Sequence, residues 1–401
     1  MSGSVDKNEI KNNIAILRWW SLDRLMFASL TICILGFYLL PSYKAQANVY
    51  YAGVLVPFLL FRFSFIKTVF TGNPLLAWCS LFILYYGAST LWTVGEPERP
   101  IYKGFVYMVY VFVFLISIVY FNRHKESAKF NAIYRHAMVV TGVFCGILSA
   151  AVYYQSHPFP LARLEPFIHP LNLIIFGQLL GLSALFSCLL AYDNSNKPIL
   201  GYLLFSFVIC VFCLFLTQSR GPILGFFTAF TLYAILARQR VVIYLIAGVV
   251  CSLLAYAIIY DGNLTDRLAS MERLVIYKNI FQNIRGHEIF GMGLMTDTDK
   301  VLGGRGYPHS LILGTYYYSG IVGIVLLTTL LGFSLNCAWK IYKKDNNPWG
   351  VTLLVYGFIT FLFDGDKLLC HPNVLWLFIW YPIALIAAEC YPAKKIPGLS
   401  T

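Results

Sequence analysis

Four short stretches of this chain carry residues that could hold an anion or move a proton. The first is Thr217-Gln218-Ser219-Arg220-Gly221-Pro222, which joins two apolar runs with almost no loop between them. Ser219 can cap the following helix, and Pro222 suits a first helical turn. Gly221 lets a ligand approach the backbone closely. A helix N-terminus beside an arginine favours an anion; the plainer alternative is a tight turn whose arginine snorkels to lipid headgroups. The second stretch, 264–284, has the spacing of an amphipathic helix. Arg267, Lys278 and Arg285 share one stripe, whereas Arg273 falls on the apolar face with Ile276, Tyr277, Ile280 and Ile284. A guanidinium there is costly unless it is paired with an acid or a bound anion. Glu272 or Asp266 could be that acid, in a purely structural pair. The third stretch is Gly303-Gly304-Arg305-Gly306-Tyr307-Pro308-His309-Ser310. Pro308 is expected to start a helix and put His309 in its first turn, where the positive helix end disfavours imidazolium. A neutral histidine in a membrane-facing cleft can act as a general base, or can be an ordinary hydrogen-bonded polar residue. The fourth, Arg163 to Asn172, places a cation ahead of a span that opens with Pro170.

Other motifs exclude more than they assign. Asp364-Gly365-Asp366 has the spacing of a metal-binding Asp-x-Asp pair, but no further ligands flank it. A turn ion pair with Lys367 is the expectation, and no metal site is assigned. No Walker loop, His-Glu-x-x-His or nucleophile elbow is present, so no cofactor is expected.

The elements that position these residues follow from composition. The chain has 401 residues, 59% of them hydrophobic and only 12% charged, with a mean hydropathy of +0.69. A soluble domain is about half apolar and a quarter charged. Continuous apolar runs of bilayer length recur throughout, so the expected fold is all-α: a polytopic integral membrane protein of about twelve spans. They are placed at 23–41, 47–66, 75–94, 103–121, 136–155, 170–192, 199–217, 222–237, 241–260, 311–337, 350–363 and 373–391 of a single transmembrane domain, 1–401. The polar N-terminus lacks a signal peptide's apolar core, so the first span reads as a retained anchor. The ten cysteines fall mostly inside spans and give no disulfide framework; Cys210 and Cys213 read as small apolar filler. The net charge of +12 is scattered over loops, which argues against nucleic acid as a partner.

With the N-terminus cytoplasmic, every loop on that side is basic, including Arg62 and Lys67, Arg123 to Arg135, Arg238 and Arg240, and Lys340 to Lys344. This agrees with the positive-inside rule, with an even helix count and both termini cytoplasmic. The long segment 261–310 then lies on the opposite face with Arg163, Arg220 and His309, and is expected to carry structure and function. An outer-face cluster of arginines with one histidine, and no nucleotide site, suits an enzyme that grips a phosphorylated lipid. Its energy could come from the substrate's own pyrophosphate bond. The alternative of a transporter for such a lipid would place charges near mid-bilayer, and the spans hold almost none.

In order along the chain, these residues resemble the O-antigen ligases, within a group that also holds O-antigen polymerases and protein O-oligosaccharyltransferases. Ser219-Arg220-Gly221 looks like the family's Ser-Arg-Gly turn. Arg273 to Tyr277 resembles its Arg-x-x-x-Trp with tyrosine for tryptophan. Phe290-Gly291-Met292-Gly293 is similar to its Phe-Gly-x-Gly. His309-Ser310 resembles its His-Asn with serine for asparagine, followed by Gly320-x-x-Gly323. His169-Pro170-Leu171-Asn172 departs from its Asn-Pro-Asn. The resemblance covers roughly 160–325. It implies the general plan of membrane glycosyltransferases that use lipid-linked donors, in a Gram-negative inner membrane with a periplasmic active site. The implied donor is O-antigen on undecaprenyl pyrophosphate and the implied acceptor lipid A–core, in a metal-independent, inverting transfer. Arg220 and Arg273 would then hold the pyrophosphate, and His309 would take the acceptor's proton. Arg163, Asn172, Ser219, Arg267 and Arg305 would contact substrate, and the amphipathic segment would roof a lateral cleft. A polymerase would use the same donor twice; a protein O-oligosaccharyltransferase fits less well, since such chains often carry additional C-terminal sequence.

Overall fold

A computed structural model describes residues 7–40, 42–70, 72–124, 126–168, 172–238, 272–298 and 307–391. Among them the chain is helical, with no strand beyond an isolated bridge between Pro97 and Thr296. The helices are α1 (Lys7–Leu39), α2 (Tyr43–Tyr50), α3 (Val56–Phe61), α4 (Phe63–Phe70), α5 (Pro74–Ala88), α6 (Tyr102–Arg123), α7 (Ser127–Tyr153), α8 (Leu173–Asp193), α9 (Lys197–Leu216), α10 (Arg220–Leu236), α11 (Glu272–Asn283), α12 (Leu311–Asp345), α13 (Trp349–Leu362) and α14 (Tyr381–Cys390). Among the described residues seven helices are long and apolar enough to cross a membrane, and 220–236, 349–362 and 376–390 are shorter apolar ones. Every expected span coincides with helix except 241–260, which lies outside the described residues. The second is broken: a π turn, Tyr51–Leu55, separates α2 from α3, with Pro57 just after it.

The segment from Trp376 to Ala388 is buried on every side, so this last span sits at the centre of the bundle. Around it, small residues let helices approach closely. A Cβ at Gly350 would lie 2.9 Å from Ile386, and one at Gly177 would lie 3.0 Å from the Thr217 hydroxyl. Cys210 and Cys213 are fully packed, as expected of apolar filler.

Polar contacts collect at the two ends. At one end Arg62 donates to Asp23 at 2.6 Å and to Tyr120 at 2.9 Å, with His124 3.5 Å from the same carboxylate. Nearby, Arg135 lies 3.9 Å from the Trp349 ring. Arg62 and Arg135 are therefore internal staples between helices rather than the solvated loop charges that the sequence suggested. The other end holds 93–101, 154–168, 217–219, 286–298 and 363–373, joined by bonds such as Val94 N–H to Met292 O and Leu164 N–H to Leu216 O, each 2.8 Å. These are the loops expected on the outer face, and they do meet.

Candidate active site

Three local devices build the outer end. The first is the turn between α9 and α10. Gln218 sits at φ +51°, a left-handed backbone that lets the chain reverse within three residues. The reversal is pinned from outside. Arg163 Nε donates to Thr217 O at 3.2 Å and its Nη2 to Ser219 Oγ at 3.5 Å. The Gln218 side-chain amide donates to Leu161 O at 3.1 Å. Arg220 is the first residue of α10 and is exposed, so its guanidinium stands at a helix N-terminus as expected. Ser219 occupies the N-cap position but makes no cap bond. Its hydroxyl turns back to Thr217 O and Arg163, so it does not cap the first-turn N–H groups of α10.

The second device is the start of α12. Pro308 does not begin the helix: Ser310 is the N-cap, accepting from Leu313 N–H at 3.5 Å, and the helix starts at Leu311. His309 therefore lies ahead of the first turn, at φ +51°. The reason for the later start is its partner. His309 Nδ1 lies 3.1 Å from Asp364 Oδ1, and Tyr307 donates its hydroxyl to the same oxygen at 3.0 Å. The Tyr307 and His309 rings lie 3.9 Å apart. Asp364 is buried, its side chain only 5% exposed, whereas that of His309 is 24% exposed. The buried carboxylate thus holds the ring through Nδ1, and the ring is the more exposed of the two groups. Gly365 brings this loop against α12: a Cβ there would sit 2.5 Å from Leu311 N.

The two aspartates do not act as a pair. Asp366 accepts from the Tyr318 hydroxyl at 3.0 Å, and burial pushes its carboxyl above the ordinary range against the pull of Lys367. Lys367 does not close a turn ion pair, as the sequence suggested, but reaches Glu98 at 2.5 Å. The first two devices adjoin, since a Cβ on Gly221 would lie 3.5 Å from the Cβ of Phe363, next to Asp364.

The third device is a broken helix. Within α12, Gly320 has φ +66° and ψ −163°, which interrupts the helical ladder. Residues 288–293 repair it. Met292 and Gly293 N–H donate to Tyr317 and Tyr318 O at 2.8 and 3.0 Å. In return Ile321 and Val322 N–H donate to Glu288 and Ile289 O at 2.9 and 3.2 Å. Tyr85 donates its hydroxyl to Ser319 O at 2.8 Å. Gly291 (φ +76°) runs so close that a Cβ on it would lie 2.5 Å from Gly320 N. The two glycine motifs seen in the sequence are therefore one structural unit, which anchors the long outer loop to the helix that follows His309.

α11 is the described part of the amphipathic segment. Ile276, Ile280 and Ile284 are buried, and Lys278 and Arg285 are exposed, as the periodicity predicts. Arg273 lies in the first turn of α11, at the register of that buried face. Its side chain lies outside the described residues, as do Arg267 and Arg305 altogether. Asn172 is exposed and is the N-cap of α8, accepting from Ile174 N–H at 2.8 Å, so α8 begins at Leu173 rather than at Pro170. Asp364 and Tyr307 were missed as site residues. The available signal was an acid on the same outer face as His309.

Two comparisons bear on this arrangement. A profile of the family described as O-Antigen ligase matches residues 205–328, which include Arg220, Arg273 and His309. An O-antigen ligase of Pseudomonas aeruginosa PAO1 is 27% identical over 331 residues, covering 79% of this chain and 78% of that protein. By both comparisons, and in keeping with the turn, the broken helix and the histidine loop, the chain is similar to the O-antigen ligases.

Proposed function

We propose that this protein transfers O-antigen polysaccharide from undecaprenyl pyrophosphate to lipid A–core at the periplasmic face of the inner membrane, with both termini in the cytoplasm. The reading rests above all on the His309–Asp364 pair beside the Ser219-Arg220 turn at one end of an apolar helical bundle.

Asp364 fixes His309 with Nδ1–H toward the carboxylate, so Nε2 carries the lone pair and accepts the proton of the acceptor hydroxyl. The hydroxyl oxygen attacks the anomeric carbon from the face opposite the pyrophosphate. The new C–O bond forms as the bond to the phosphate oxygen breaks, which inverts the anomeric centre. Arg220, the first-turn N–H groups of α10 and Arg273 balance the charge of the departing pyrophosphate, a contribution often worth several kcal/mol. No step calls for a metal ion. Arg163 holds the turn that aims Arg220. Asn172, Ser219, Arg267 and Arg305 complete the contacts to donor or core oligosaccharide, and α11 roofs the cleft.

The test is purified protein in detergent with the lipid-linked glycan and lipid A–core, in EDTA and without nucleotide. Glycan-bearing lipopolysaccharide should form, and Arg220→Ala, Arg273→Ala and His309→Ala should each abolish it. Joining of donor to donor would instead show a polymerase. Full ligation by both Arg220→Lys and Arg273→Lys would remove the forked arginine contact from the mechanism.

A further inference from the structure

The end of the bundle away from His309 carries a groove that the proposed reaction does not use. It lies between α1 and α7, open along one side, with a volume of about 420 Å³, within the roughly 300–1,000 Å³ of small-molecule sites. Its lining follows the helical repeat. Arg24, Phe27 and Ile32 on α1 face Lys129 and Ile133 on α7 and Glu126 at its N-cap. Both helices run inward from the same end, so the charged groups form a mouth and the apolar ones line the depth. From Arg24 to Ile32 the groove descends about 12 Å, at about 1.5 Å per residue. Ile32 and Ile133 are half exposed, at 51% and 49%, and so open onto the surface that meets lipid.

The mouth is built rather than incidental. Arg24 lies 3.8 Å from Glu126, and the residues just behind both, Asp23 and His124, belong to the buried Asp23–Arg62–His124 network. That network fixes the spacing of α1 against α6 and hence of the mouth. Among the described lining residues, two cations, Arg24 and Lys129, against one carboxylate, Glu126, leave a positive excess. A zwitterionic headgroup would not neutralise it, and a singly negative one would.

We propose that this groove holds one anionic glycerophospholipid, its phosphate between Arg24 and Lys129 and an acyl chain between α1 and α7. Basic pockets between membrane helices bind such headgroups. The site needs only that this end of the bundle meets a leaflet, and it is independent of the glycan chemistry at the other end.

The experiment is native mass spectrometry of the detergent-purified protein titrated separately with phosphatidylglycerol and phosphatidylethanolamine. Wild type should retain one phosphatidylglycerol in preference to phosphatidylethanolamine. Arg24→Gln with Lys129→Gln should lower that preference by roughly tenfold or more. Ile32→Trp, which fills the groove without changing charge, should lose retention of both lipids. Equal retention of the two lipids by wild type would overturn the proposal. So would unchanged retention by either variant when it elutes as a folded, monodisperse protein.

Discussion

The Nδ1 atom of His309 lies 3.1 Å from a carboxylate oxygen of Asp364, a residue 55 positions later that is buried behind it. Asp364→Asn keeps the shape but removes the charge and lets the amide donate, which favours the wrong histidine tautomer. Ligation should fall by about 10²–10⁴-fold. Donor binding by the purified variant should stay within about twofold of wild type. A variant that ligates at the wild-type rate would remove Asp364 from the mechanism.

Arg163 bonds to the α9–α10 turn through Thr217 O and Ser219 Oγ. Arg163→Ala releases the turn and misplaces Arg220. A displacement of about 1 Å can cost about 10²-fold in rate. The loss should appear in kcat more than in KM for the donor, because positioning matters most as charge develops on the leaving group. Ser219→Ala, which removes the longer of Arg163's two contacts and a long bond within the turn to Thr217 O, should cost less than tenfold. The reverse order of the two variants would overturn this reading.

Gly320 and Gly291 meet at the break in α12, both at positive φ. Gly320→Ala should destabilise the protein by about 1–3 kcal/mol from backbone strain alone, before the clash with Ile289 O is counted. Gly332 is the control, since nothing lies within 4 Å of a Cβ there and it sits in the helical part of α12. Gly332→Ala should be neutral or stabilising by up to about 1 kcal/mol. Thermal melts in detergent read both.

Burial raises the carboxyl of Asp366 above its ordinary value of 3.8. In the window above 3.8 and up to the raised value, the folded state therefore binds more protons than the unfolded one, and stability falls as pH rises. Asp366→Asn removes that slope. The variant should be more stable than wild type near pH 7 and should lose the advantage near pH 4. Melting temperatures measured across that range check the sign.

Much of the plan was legible in the residues. Spans read from apolar runs fell on helices because lipid allows little else. Loops sorted by charge met at the expected ends. The face of α11 was legible as well, since three isoleucines at helical spacing must be buried. Other features were not. Asp364 looked like a turn residue because its contact with His309 arises only when the end of α13 packs against the start of α12. The break at Gly320 was invisible for a similar reason. The apolar run through 311–337 reads as one continuous helix, and the interruption holds only because 288–293 supplies four hydrogen bonds from outside it. Ser219 was read as a cap from its position, but Arg163, 56 residues away, claims its hydroxyl.

The pairing of Gly291 with Gly320 has a consequence for descent. The Phe-Gly-x-Gly and Gly-x-x-Gly signatures are not two separate requirements that happen to recur together. Each glycine is needed for its positive φ and because the other backbone passes through the space its side chain would fill. A descendant that closed the helix across position 320 would release 288–293 from its place and lose any use for glycine at 291. The two signatures should therefore be inherited, and lost, as one.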